Sequence, residues 1–143
     1  MKYMIILFLA IMSSCTKNKI RSQNSHHLYK NTLVNNKWIS SEYLGLNPKL
    51  NTIKLIKYQE RKFMGVLVVF FDDNFLSYNV SPCGNDYFTK VQGRYQFYEK
   101  NKVAFFVDSI SFNGEYKKKT EYRKDIIDYK ILKRGDTLIL IKI

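Results

Sequence analysis

The side chains that most often carry catalysis are scarce in this chain of 143 residues. Its two histidines, His26 and His27, are adjacent and lie in a polar segment near the N-terminus. A serine or cysteine nucleophile usually has a histidine base beside it, and the common zinc sites use histidine ligands. Because the rest of the chain contains no histidine, the sequence predicts a protein without catalytic residues, without a metal site and without a cofactor.

Two further motifs could carry chemistry but are better explained as turns. Asp72 and Asp73 are adjacent carboxylates, whereas acid–base catalysis needs two carboxyl groups across a cleft. Neighbouring residues in a turn point apart, and Asp-Asp-Asn is ordinary turn composition. Arg134-Gly-Asp136 spells an adhesion tripeptide, but Gly-Asp between two apolar segments is also what a tight hairpin requires.

A lone thiol and a basic run complete the set of reactive or charged motifs. Cys83 lies in Ser81-Pro-Cys-Gly-Asn85, a loop by composition with no nearby base to activate the thiol. Lys117-Lys118-Lys119 follows a hairpin signal, and alternate lysines on a strand point to opposite sides. The run therefore indicates a solvated strand edge or loop rather than a phosphate site.

The net charge of +12 leaves two interpretations open. One is an acidic partner, such as anionic lipid head groups that meet a lysine-rich surface. The other is compositional, since a chain rich in Lys, Asn, Ile, Tyr and Phe is what an AT-rich genome encodes. The positive charges are scattered along the chain, and this pattern disfavours nucleic acid as a partner.

The elements that hold these residues are predicted to be short β-strands. Apolar and aromatic residues alternate with polar ones in most segments, and Thr52–Tyr58 fits either a strand or a helical turn. The alternation changes parity after Asp108, which predicts a β-bulge near Asp108–Ser109. Asn113-Gly114 is a strong hairpin signal. Tyr122–Asp125 is predicted to be a polar link that could form a helical turn.

Eight or nine such strands joined by tight turns predict an all-β fold. We expect an antiparallel meander of about eight strands, closed into a small barrel or a strongly curled sheet, with room for one short helix. Large side chains should face inward and could fill a barrel of this size, although an interior ligand cavity remains the alternative. The predicted inward rings are Phe70, Phe75, Tyr95, Phe97, Phe105 and Tyr129.

The N-terminus has the pattern of an export signal. Lys2 precedes an apolar run from Met4 to Met12, and two serines then precede Cys15. The run is too short to span a bilayer as a helix, which needs about 20 apolar residues. The stretch resembles the lipobox of bacterial lipoproteins. That resemblance implies a signal peptide over residues 1–14 and a Cys15 that is acylated and becomes the new N-terminus, so that membrane lipid is a partner.

The resemblance also sets the expected organisation of the rest of the chain. Residues 15–36 would be the lipidated cysteine and a flexible tether, and residues 37–143 the β-barrel domain. If Cys15 carries lipid, Cys83 has no partner for an intramolecular disulfide. The residues after Cys15 lack both an aspartate retention signal and an acidic export run. We therefore expect the periplasmic face of an outer membrane.

The domain itself resembles two kinds of small β-protein. Trp38, with Leu33 and Asn36, is similar to the first strand of lipocalin-like domains. Cys83-Gly-Asn85, Gly93-Arg-Tyr95 and the closing Gly135-Asp-Thr-Leu138 look like the motifs of META-type domains, which are exported and often lipid-anchored. The resemblance covers about Leu33–Ile143 and implies a fold rather than an active site.

These observations predict a non-enzymatic binding or accessory module of the bacterial envelope whose protein partner the sequence does not name. The alternative is a lipocalin-like carrier of a small apolar or lipidic ligand. In either case the barrel mouth is the natural contact region. The candidate contact residues are Trp38, Cys83, Arg94 and Tyr95.

Overall fold

A computed structural model describes residues 29–59, 65–79, 88–113 and 118–143. Residues 29–34 are helical, and eight β-strands form one closed antiparallel barrel. The prediction of an all-β barrel of about eight strands is therefore confirmed. The strands are β1 Lys37–Ser40, β2 Thr52–Lys57, β3 Val66–Phe71, β4 Asn74–Asn79, β5 Phe88–Glu99, β6 Lys102–Asn113, β7 Lys118–Arg134 and β8 Thr137–Lys142.

The strand order contains one exchange relative to a simple meander. From β3 to β8 each strand pairs with the next, but β1 lies between β2 and β3, and β2 closes the barrel against β8. Trp38 pairs with Lys57 and Ser40 pairs with Val66, so β2 ends and β3 begins at opposite ends of the short β1. Gly65 directly precedes β3 with φ of 136°, and a Cβ there would lie 2.8 Å from the carbonyl oxygen of Ser40.

Alternation along the strands places one set of side chains inside the barrel. Thr52–Lys57 is a strand whose alternate residues Ile53 and Leu55 are buried. Five buried aromatic rings contact one another with centroids 5.3 to 6.2 Å apart, several of them edge to face. Their inward orientation confirms the prediction, and Phe97 packs half-buried beside them. The five are Phe70, Phe75, Tyr95, Phe105 and Tyr129.

The predicted bulge near Asp108–Ser109 is confirmed. Gly93 of β5 pairs with Val107 of β6, while Gln92 pairs with Ser109, so Asp108 is the extra residue. The bulge lets Val107 and Ile110 both face inward, although they are three residues apart. A Cβ at Gly93 would lie 2.0 Å from the carbonyl oxygen of Phe106, so this close approach of β5 to β6 requires glycine.

Three neighbouring strands are much longer than the others. β5 and β6 have 12 residues each and β7 has 17, whereas the other five have 4 to 6. The expectation that Tyr122–Asp125 is a link or helical turn is wrong, because it lies within β7. Charged side chains that alternate here pair with each other along the strand, and this satisfies them in an extended conformation.

Both ends of the barrel are covered. At one end the helix buries Leu33, whose carbonyl oxygen accepts a hydrogen bond from Trp38 Nε1 at 3.1 Å. At the other end the connection between β1 and β2 buries Leu44, whose N–H donates to Ser77 Oγ at 3.1 Å. Residues 29–34 are therefore part of the packed structure, although they lie ahead of β1 and inside the segment that the sequence interprets as a tether.

Candidate functional site

In the described part of the chain, a groove of about 510 Å³ lies on the outside of the barrel wall. It lies where the turn between β3 and β4 meets the central parts of β5 and β6. Two of the four predicted contact residues, Arg94 and Tyr95, line it. The groove is lined by Asp73, Arg94, Tyr95, Gln96 and Phe106.

The strand register explains how these residues come together. Arg94 and Phe106 are cross-strand partners and face outward, so the guanidinium lies 5.8 Å from the centroid of the Phe106 ring. Tyr95 faces the interior, and its hydroxyl reaches the barrel end and donates to the carbonyl oxygen of Asp72 at 2.9 Å. The groove therefore combines an outward cation on an aromatic face with polar groups of the β3–β4 turn.

The charges of the groove already have partners. Arg94 Nη2 lies 3.3 Å from Asp108 Oδ1, and Asp73 Oδ1 lies 2.8 Å from Lys30 Nζ. Burial raises the pKa of the Tyr95 hydroxyl, and the nearby carboxylates of Asp73 and Asp72 raise it further. Tyr95 thus remains a neutral hydrogen-bond donor rather than a base. The groove can hold a small polar or planar group by hydrogen bonds and stacking, but it holds no nucleophile beside a base.

Trp38 and Cys83, the other two predicted contact residues, are not in the groove. Trp38 is 2% exposed, and its indole N–H donates to the carbonyl oxygen of Leu33 in the helix over residues 29–34. This environment gives it a packing role, and a direct contact with a ligand at this position stays a prediction. Cys83, like the predicted lipidation site Cys15, lies outside the described residues.

Sequence reasoning missed Gln96 and Phe106 as lining residues. The signal that could have identified them is the pairing register of β5 with β6, because Arg94 opposes Phe106 and Gln96 opposes Ala104. A single sequence gives the alternation of each strand but not this register, which depends on the bulge at Asp108. Asp73 was interpreted as a turn residue, and it does lie in the turn between β3 and β4.

One polar group inside the barrel lacks a partner. The hydroxyl of Tyr129 is buried, and no described residue lies within hydrogen-bonding distance of it. Burial raises the pKa of this hydroxyl to about 12. A buried donor without a partner costs free energy, so a water molecule or a small polar guest could pair with it.

Lysines are prominent on the outer face formed by β2, β8 and β7. Lys54 and Lys130 are exposed there, on strands that flank Ile139 and Ile141 of β8. Asp128 is the acidic residue of β7 that faces the same side. This face therefore combines cations with half-buried aliphatic side chains, and the contact with anionic head groups stays a prediction.

Within the described ranges, no three side chains of His, Cys, Asp or Glu are grouped so that they could hold a metal ion. No helix in the described part of the chain has the length and apolar character needed to cross a membrane.

Comparison with known proteins gives no relative. No family model matches the chain, and neither a curated protein nor a solved structure matches it. The resemblances to bacterial lipoproteins, lipocalin-like domains and META-type domains therefore stay predictions from the residues quoted above. The class that the structure defines is a small closed antiparallel β-barrel with covered ends.

Proposed function

We propose that this protein is a membrane-anchored lipoprotein of the bacterial envelope whose barrel is a non-enzymatic binding module that works from its outer surface. The observation that carries the proposal is the occupied interior. Five buried aromatic rings contact one another between the walls, and Leu33 and Leu44 are fully buried near the two ends. A barrel built this way contacts partners through its outer groove and outer faces rather than through an interior cavity.

The N-terminal sequence supports the anchoring. Cys15 follows an apolar run and two serines, and Tyr29, the first described residue, lies 14 positions after it, since 29 − 15 is 14. A fully extended connection of this length spans at most about 50 Å. An acylated Cys15 would therefore keep the barrel close to the membrane, on the periplasmic face of the outer membrane in this proposal.

The lysine-rich outer face supports a contact with anionic head groups once the barrel is tethered. Each lysine near an anionic surface contributes about 1 kcal/mol at physiological ionic strength. We expect Lys54→Glu and Lys130→Glu each to bind anionic vesicles less than the parent chain, whereas Lys90→Glu, which changes the net charge by the same amount on β5 away from this face, should have a smaller effect. Equal loss in all three variants would show that net charge alone is responsible.

The anchoring has a direct test. Cells that express the full chain should incorporate a fatty-acid analogue into it, and Cys15→Ala should abolish the label. Cys83→Ala is the matched control and should keep the label, because its thiol is not in the lipobox. A labelled Cys15→Ala variant would contradict lipidation at this residue.

A carrier of a small ligand is the second candidate, and the unpartnered hydroxyl of Tyr129 favours it. Native mass spectrometry of the full chain with Cys15→Ser, purified without detergent, distinguishes the two. The binding module should give the mass of the polypeptide alone. A retained small molecule that is lost in Tyr129→Phe would support the carrier and overturn the proposal of an occupied interior.

A further inference from the structure

One half of β7 has a neighbouring strand on only one side. β6 pairs with β7 from Lys118 to Lys130, but β8 ends at Lys142, which pairs with Tyr129, and the N–H of Ile143 donates to the carbonyl oxygen of Asp128. In the described part of the chain, no strand pairs with the other edge of Lys118–Ile127. We call this segment the free edge. A strand edge with unpaired N–H and C=O groups is a template for another strand.

The free edge is accessible to a partner. Tyr122 is 86% exposed and Ile126 is 61% exposed, and both point to the outer side of the barrel wall. On the inner side Arg123 Nη1 lies 3.4 Å from the carbonyl oxygen of Leu46. That contact is made by a side chain below the strand, so it does not occupy the backbone groups of the edge.

The inner side of the free edge carries an alternating row of charges. Lys119, Glu121, Arg123 and Asp125 follow one another at every second residue. Neighbours in the row are joined by ion pairs, with Lys119 Nζ to Glu121 Oε1 at 2.7 Å, Arg123 Nη2 to Glu121 Oε2 at 3.2 Å and Arg123 Nη1 to Asp125 Oδ2 at 3.5 Å. In chain order the signs of the row are plus, minus, plus, minus. A second copy that runs in the opposite direction presents minus, plus, minus, plus, so each charge faces one of opposite sign.

We propose that the free edge pairs antiparallel with the same edge of a second copy of this chain, with the two-fold axis at Tyr122. In this register Glu121 of each copy opposes Arg123 of the other, and Lys119 opposes Asp125. Four pairs of opposite charge result from the two symmetric halves. Opposite charges in cross-strand positions stabilise a sheet, and their pattern mainly fixes register and partner.

Neighbouring registers are worse. A shift of the second copy by two residues in one direction sets Glu121 opposite Asp125 and Arg123 opposite itself. The same shift in the other direction sets Glu121 opposite itself and Lys119 opposite Arg123. On the outer side the proposed register sets the two Tyr122 rings opposite each other. The sequence therefore favours one antiparallel register of this edge with itself.

A charged edge also has a protective interpretation, because lysines and inward charges discourage strand addition. The two interpretations differ in what they require. Protection requires only that the edge carries charges, in any order. Dimerisation requires an order of charges in which residues equally far from Tyr122 on its two sides have opposite signs. The dimer does not depend on Cys15 acylation, so failure of the lipid label would leave this proposal intact.

Cysteine cross-linking of the full chain in cell envelopes tests the axis. In a Cys83→Ser background, Tyr122→Cys should give a disulfide-linked dimer on mild oxidation, because residues directly opposite have Cβ atoms about 4.5–5.5 Å apart. Thr120→Cys alone and Lys124→Cys alone should not cross-link, but the two co-expressed should, since position 120 opposes 124. Absence of the Tyr122→Cys dimer, or equal yields at 120, 122 and 124, would overturn the proposal.

Charge complementation tests the pairing without relying on the intramolecular pairs. In the Tyr122→Cys background, Glu121→Arg and Arg123→Glu each set like charges opposite each other, and each homodimer yield should fall about tenfold. Co-expressed with tags of different size, the two variants should give the heterodimer at close to the parent yield. Their pairs within each chain stay broken in the mixture, so recovery can come only from the contact between copies. Failure to recover would contradict the register.

Discussion

The two halves of β7 belong to one strand yet have different surroundings. Tyr129 and Ile131 of the C-terminal half are buried where β8 pairs with the strand, and Ile127 is buried just before that pairing begins. The corresponding inward positions of the N-terminal half are Glu121, Arg123 and Asp125, which are partly exposed, and among the described strands only β6 borders them. The residue type changes close to the point where β8 ends.

This difference shows that the length of β7 and the length of the closed barrel are determined by different contacts. Closure needs only the part of β7 that β8 covers, and the buried side chains of β7 lie in that part and at Ile127 directly before it. Beyond it the strand continues because β6 still pairs with it and because the charged row is satisfied along the strand. The open half is therefore available for a contact outside the barrel.

The largest expected difference in stability comes from making the same substitution, Ile→Ala, in each half of β7. Ile131→Ala removes a fully buried side chain from the closed half and should lower the free energy of unfolding by about 2–5 kcal/mol. Ile126→Ala, in the open half with a 61% exposed side chain, should change it by less than about 0.5 kcal/mol. Chemical denaturation of both variants measures this. Similar losses would mean that the open half is covered.

A smaller loss of stability is expected from a substitution on β5, beside the bulge at Asp108. Gly93→Ala would bring a Cβ to 2.0 Å from the carbonyl oxygen of Phe106 and 2.8 Å from a ring carbon of Phe75. The bulge must then shift, and we expect a loss of about 1–3 kcal/mol. Gln92→Ala, the exposed neighbour, is the control and should leave the unfolding midpoint nearly unchanged. A tolerated Gly93→Ala would contradict the close approach of β5 and β6.

The same contrast shows what the sequence can predict. Alternation of apolar residues identified the inward rings and the bulge at Asp108, because burial imposes a period of two. It did not identify Tyr122–Asp125 as strand, since the inward positions Arg123 and Asp125 carry charged instead of apolar side chains. It also could not place β1 between β2 and β3 or bring Phe106 to Arg94. Both depend on long-range register, which local periodicity does not contain.

In the closed half of β7, removal of one buried hydroxyl group is expected to stabilise the fold. Tyr129→Phe removes a buried hydroxyl without a partner among the described residues, and should raise the free energy of unfolding by about 1 kcal/mol. The raised pKa, about 12, adds a pH dependence. The folded state keeps the neutral hydroxyl, so its contribution is present below the unfolded pKa of about 10 and is lost as pH rises to about 12.

Alkaline unfolding curves check both parts of this expectation. Tyr129→Phe should be less sensitive than the parent chain between pH of about 10 and 12. Tyr95→Phe is the comparison, because its hydroxyl has the Asp72 carbonyl oxygen as a partner and its loss should destabilise. A destabilised Tyr129→Phe would indicate a water molecule or guest that pairs with the hydroxyl.

The smallest effect on folding should come from the charged row of the open half. Hydrogen bonds from Lys119 and Arg123 lower the pKa of Glu121, so its favourable contribution is present above its usual pKa and is lost as pH falls through the lowered value. Glu121→Gln should leave the unfolding midpoint unchanged at neutral pH, because the group is exposed to solvent. Dimer formation should respond instead, since the same carboxylate opposes Arg123 of the second copy. Sedimentation of the full chain in detergent should show the parent dimer dissociating in acid and Glu121→Gln already weaker at neutral pH. A dimer that Glu121→Gln leaves unchanged would move the contact away from the open half of β7.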